Sequence, residues 1–159
     1  MTTSELKLRF IGDLIANEEV VSLIDYANKG TYPEDLIYTH IFPFWKVDRG
    51  TLQDVGAYVG LKIDYPNVAA NDLYKNFRLS VLILCHHSIM KVEKKNGTRI
   101  DLLGEILGQM WTWDKSGEFQ LELLSDKEDV MSEDYLCRTM VFASRTSNNV
   151  RCGVKGHAG

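Results

Sequence analysis

The chain has 159 residues, 45% hydrophobic and 25% charged, the mix of one ordinary soluble domain long enough to bury a real core. Lys and Arg total 18 against 22 Asp and Glu, a formal charge of −4 that argues against a general nucleic-acid coat. No apolar run nears the ~20 residues of a membrane span, and the opening MTTSELKLRF lacks the apolar centre of a signal peptide, so a protein made in the cytosol and free of membrane is expected.

The first third reads as helical. Thr2 and Glu5 have capping-box spacing, and Leu6, Phe10 and Leu14 follow at helical intervals. Asn17 then caps a second apolar stretch whose first turn carries Glu18 and Glu19. Thr31 and Glu34 around Pro33 suggest one more short turn. An aromatic, strand-like piece over residues 37–44 follows, cut by Pro43.

From Asp54 the period changes to two. Val55, Ala57, Val59, Leu61 and Ile63 alternate with polar or small residues, which predicts a half-buried strand with one polar face. Residues 77–92 form the strongest strand candidate, and the run Val81–Cys85 is apolar on both faces, as a central strand requires. Thr98 opens a helix over about 99–111, with Ile100, Leu103, Leu107 and Met110 as its apolar stripe. Gly104 and Gly108, four apart, leave a smooth strip where another chain segment can approach closely. A hairpin ends the pattern. Its strands are joined by an acidic loop, residues 125–134 (SDKEDVMSED), which is long beside the usual ~2–5 residues of a hairpin turn and so faces solvent or a partner.

The order of elements predicts an α+β fold, a mostly antiparallel sheet packed with N-terminal helices and one central helix. Residues 1–148 make a single domain on this reading. Residues 149–159 are a flexible or partner-bound tail within a stretch, 145–159, that holds three basic residues and no acids.

Few side chains suggest chemistry. Cys85, His86 and His87 cluster, yet adjacent residues of a strand point to opposite faces, so the two histidines should not converge on one ion. The three cysteines, Cys85, Cys137 and Cys152, have no zinc spacing and read as reduced structural thiols. Asp64 with Glu93 and Lys95 matches the short acid…acid-x-Lys pattern of Mg-dependent nucleases, a weak signal beside the Asn96-Gly97 turn it runs into. P-loop, HExxH, GxSxG and GxGxxG signatures are missing from the sequence, so no enzyme, no cofactor and no bound metal are expected. Tyr38, Phe42, Phe44 and Trp45 form an aromatic segment suited equally to a core rim or to an oligomer interface.

Four stretches carry a resemblance: ELKLRFIGDLIANEEVVSLI, EDLIYTHIFPFWKV, FRLSVLILCHHSIMKVEKKNGTRIDLLGEILGQM and YLCRTMVFASRTSN. Their order resembles the neck proteins of tailed bacteriophages, of the tail-terminator or head–tail joining type. The resemblance implies an α+β subunit in a ring, commonly a hexamer, located in the virion neck. Such a ring ends the tail tube and joins it to the head connector or stopper protein. DNA passes through the channel without specific binding, which suits an acidic chain. The interface candidates on this reading are Phe42, Phe44, Trp45, Arg99, Asp101, Asp126, Glu128, Asp129 and Arg151. The competing reading is a small nuclease built on Asp64, Glu93 and Lys95.

Overall fold

A computed structural model describes residues 2–24, 32–45, 54–66, 76–112 and 120–144. Helix α1 spans Thr3–Ala16 and α2 spans Glu18–Ile24. Strand β1 is Ile41–Phe42, β2 Ala57–Asp64 and β3 Arg78–His86. Helix α3 covers Arg99–Thr112, and strands β4, Leu121–Val130, and β5, Tyr135–Ser144, complete the fold. The five strands stand in the order β1-β2-β3-β5-β4. Among the described strands β1–β2 pair in parallel and the other three pairs are antiparallel, so the molecule has the expected α+β architecture with a mostly antiparallel sheet.

The helix starts follow from local chemistry. Thr2 Oγ1 accepts from the Glu5 amide at 3.1 Å while Glu5 Oε2 accepts from the Thr2 amide, closing the capping box. Asn17 Oδ1 accepts from the amides of Glu19 and Val20, which turns the chain from α1 directly into α2. Thr98 Oγ1 caps α3 through the Asp101 amide at 3.2 Å.

All three helices lie on one face of the sheet. Leu6, Phe10 and Leu14 of α1 and Leu103, Leu107 and Trp111 of α3 meet Val59, Leu61, Leu79, Val81 and Phe142 in one core. Trp111 anchors the join: its ring packs edge-on against Phe10 and Phe142, and its Nε1 donates to Asp13 Oδ2 at 3.1 Å. β3 is the central strand its apolar middle requires, with residues 79–85 buried throughout.

Two expectations need correction. β2 does not have one polar face, because Tyr58 and Gly60 are buried along with Val59 and Leu61. The chain following β1 passes over that side, where Phe42, Tyr58, Leu82, Leu84, Tyr135 and Cys137 form a second, smaller apolar cluster with Trp45 packed on it. Gly60 is what permits the approach, since a Cβ there would stand 3.0 Å from the Phe44 carbonyl oxygen. Only Lys62 and Asp64, past the end of that cover, are exposed.

The acidic stretch 125–134 is not a loop. β4 continues to Val130, with Ser125–Val130 paired to Leu136–Val141 across a bulge at Leu124, and the turn is only Met131–Asp134. The Met131 and Ser132 amides both donate to the Tyr135 carbonyl to close it. An edge strand with solvent around it carries no period-two apolar signal, so its backbone pairing cannot be seen in its side chains.

Candidate functional site

Asp126 and Glu128 of β4 point to the same face as Arg138 of β5, whose register partner is Glu128. The Arg138 guanidinium holds Asp126 through two parallel bonds, Nε to Oδ1 at 2.7 Å and Nη2 to Oδ2 at 2.6 Å. Its Nη1 reaches Asp101 Oδ1 at 3.1 Å, which ties the first turn of α3 to the hairpin. Gly104 makes room for this clasp: a Cβ there would sit 2.6 Å from Arg138 Cζ. Three acids thus surround one guanidinium. The hydrogen bond and charge of Asp101 push the Glu128 carboxyl above its ordinary range, while the acids push Arg138 higher still, with the Asp126 hydrogen bond as the largest cause.

Beyond this clasp, β4 stands open. It is the last strand of the sheet, nine of its ten residues are at least partly exposed, and among the described residues none pairs with its outer side. Leu123, Leu124, Val130 and Met131 are exposed along it beside Glu122 and Asp129. The opposite rim of the sheet differs in kind. There Tyr38 is 64% exposed and Phe44 41%, their rings 6.3 Å apart, with Lys62 Nζ 4.8 Å over the Trp45 ring. Tyr38 takes a left-handed φ of 70°, a conformation that bulky residues rarely adopt, and its N–H donates to the Ile41 carbonyl. One edge is therefore acidic and aliphatic, the other aromatic with a cation.

The remaining candidates are scattered. Phe42 is buried in the small cluster, and Trp45 is half-buried on it. Arg99 is 7% exposed, its Nε donating to the Ile89 carbonyl and its Nη1 to that of Leu23. These bonds join α2, α3 and the chain after β3. Arg151 lies outside the described residues. The nuclease set is not assembled. Asp64 faces Arg78 at the first residue of β3, whereas Glu93 and Lys95 line a cavity of 410 Å³ beside the start of α3. The eight-pair ladder from Asp64↔Arg78 to Ala57↔Cys85 separates those ends by roughly 24 Å.

The two histidines, expected on opposite faces, instead stack with ring centroids 4.7 Å apart. β3 ends at His86 and a 3-10 turn, His87–Ile89, begins, so strand alternation stops between them. Asp134 joins them, 3.6 Å from His87 Nε2, and the three side chains offer ligand atoms within 4.8 Å of one another. His86 Nδ1 already accepts from the Ser88 amide at 3.1 Å, with Ser88 Oγ at 2.8 Å. An ion would meet His86 at Nε2 with the ring proton on Nδ1, where Ser88 Oγ stands ready to accept it. Cys85 and Cys137 are free and buried, and burial pushes the Cys85 thiol up to about 11 against the opposing charge of Arg99. Neither is a ready nucleophile.

Compared with known protein families, residues 17–144 match one, YomW, over most of the chain. The chain belongs to the YomW family. That name comes from a Bacillus prophage region, which points to a phage origin. No curated protein and no solved structure gives a match. No helix among the described residues of this YomW-family chain is long and apolar enough to cross a membrane.

Proposed function

We propose that this YomW-family chain is a structural subunit of a tailed-phage neck, forming a ring that ends the tail tube and joins it to the head connector around the DNA channel. The observation that carries the reading is the pair of unlike sheet edges. A ring closes through heterologous contacts, so each subunit must offer two different surfaces, one to each neighbour. An acidic, aliphatic strand edge at β4 and an aromatic rim at Tyr38 and Phe44 are such a pair. The prophage origin of the family name supports the setting. The tube protein and the connector or stopper protein are the remaining partners, the location is the virion neck after synthesis in the host bacterial cytoplasm, and the role is mechanical rather than catalytic. Among the nuclease residues, the separation of Asp64 from Glu93 gives that reading no support.

Light scattering and negative-stain imaging of the purified protein test this. A closed ring is expected, a hexamer by the neck-protein resemblance. Phe44→Asp and Leu124→Asp should each reduce it to small species, while shifting stability by less than ~1 kcal/mol because both side chains are exposed. A strict monomer at high concentration, with no ring even beside the tube protein, overturns the proposal.

A further inference from the structure

Among the described residues nothing pairs with the outer edge of β4, and its own side chains say what does not fill it. Over Leu121–Val130 it carries Glu122, Asp126, Glu128 and Asp129 against Lys127 alone. A twofold β4–β4 pairing would therefore set one acidic strand on another, which is unfavourable for like charges directly opposite. The edge calls for a basic strand. Residues 145–159 contain Arg145, Arg151 and Lys155 and no acid. Within them Val150, Cys152 and Val154 alternate with Arg151, Gly153 and Lys155, the period of a strand with one apolar and one basic face. That segment leaves β5 at Ser144, opposite Leu121 at the first residue of β4. Pairing with its own β4 would skip a strand, whereas sequential strands more often stand side by side.

We infer that the β4 edge takes the basic segment 150–155 of a second copy of this chain as an added strand, each subunit lending its segment to the next. The main-chain bonds of the added strand satisfy the outward amides and carbonyls of β4, and Arg151 and Lys155 meet its carboxylates. The heterologous sense of the exchange is the one a ring requires, so the inference rests on the ring reading and adds the tail segment to the contact between neighbouring subunits.

Amide hydrogen exchange of the full chain, read along β4 at rising protein concentration and beside a sizing measurement, tests it. Alternate amides of Ser125–Val130, those turned away from β5, should slow about tenfold or more as assembly proceeds. Charge reversal in the segment, Arg151→Glu with Lys155→Glu, should abolish both the slowing and the assembly. Reversal on the strand at Asp129 (Asp129→Lys), on the face away from the Arg138 clasp, should do the same, and combining the three changes should recover both in part. Rings that form with the outward β4 amides still exchanging freely overturn this inference and leave the ring reading standing. Slowing that does not depend on concentration means pairing within one chain and also overturns it. A chain that stays monomeric sinks both.

Discussion

Arg138 is the side chain on which three elements depend. It is 14% exposed, it binds Asp126 in bidentate fashion, and it reaches Asp101 on α3 over the bare backbone of Gly104. Replacing a helix-interior glycine by alanine ordinarily stabilises by ~0.5–1 kcal/mol. At Gly104 the added Cβ would displace the guanidinium from both acids, so Gly104→Ala should destabilise by ~1–2 kcal/mol. In an Arg138→Met background the same change should turn stabilising. Gly108→Ala is the control, because its Cβ would meet only Met140 Cε at 3.7 Å and should stabilise in either background. Denaturant titration of the set checks the sign reversal, and equal effects at both glycines would refute the clasp.

Glu128 carries a pH signature. Its carboxyl is held above the ordinary value by the hydrogen bond and charge of Asp101, so between that ordinary value and its raised one the folded chain binds more protons than the unfolded chain. Stability from this group therefore rises as pH falls through the raised pKa and is lost as pH increases through it. Glu128→Gln, fixed in the neutral form, should flatten that part of the stability–pH curve. An unchanged slope in the variant would show that Asp101 does not act on Glu128.

At the scale of elements, α3 is the piece that joins everything else. Arg99 ties its first turn to α2 and to the chain after β3, Asp101 ties it to β5, and Trp111 seats its last turn between Phe10 and Phe142. Trp111→Ala should cost ~3–5 kcal/mol, the range for emptying an aromatic site in a core. Thermal unfolding measures it, and a loss under ~1 kcal/mol would mean the ring is not packed as described. The caps, the stripe and the bounds of α3 were legible in the sequence because each is local, one side chain bonding an amide two or three positions away. β4 was not legible. From Ser125 it is charged or polar on both faces up to Val130, and what makes it a strand is backbone pairing with β5, which side-chain pattern does not report.

At the scale of the molecule, the sheet is covered by helices on one face and by a shorter aromatic cluster on the other, so among the described residues its edges are its least covered parts. The sequence by itself determined the fold class, the central position of β3 and the span of α3, since apolar periodicity and capping act over a few residues. It also singled out the residues of the aromatic segment and the acids of 125–134. The tertiary structure alone decided how they are used. Phe42 turns inward and Phe44 outward, Asp126 is taken by an arginine twelve residues away, His86 and His87 stack, and Asp64 is carried to the end of the sheet away from Glu93. Each of these outcomes depends on strand register and on where a strand ends, and both are set by pairing between segments distant in the chain.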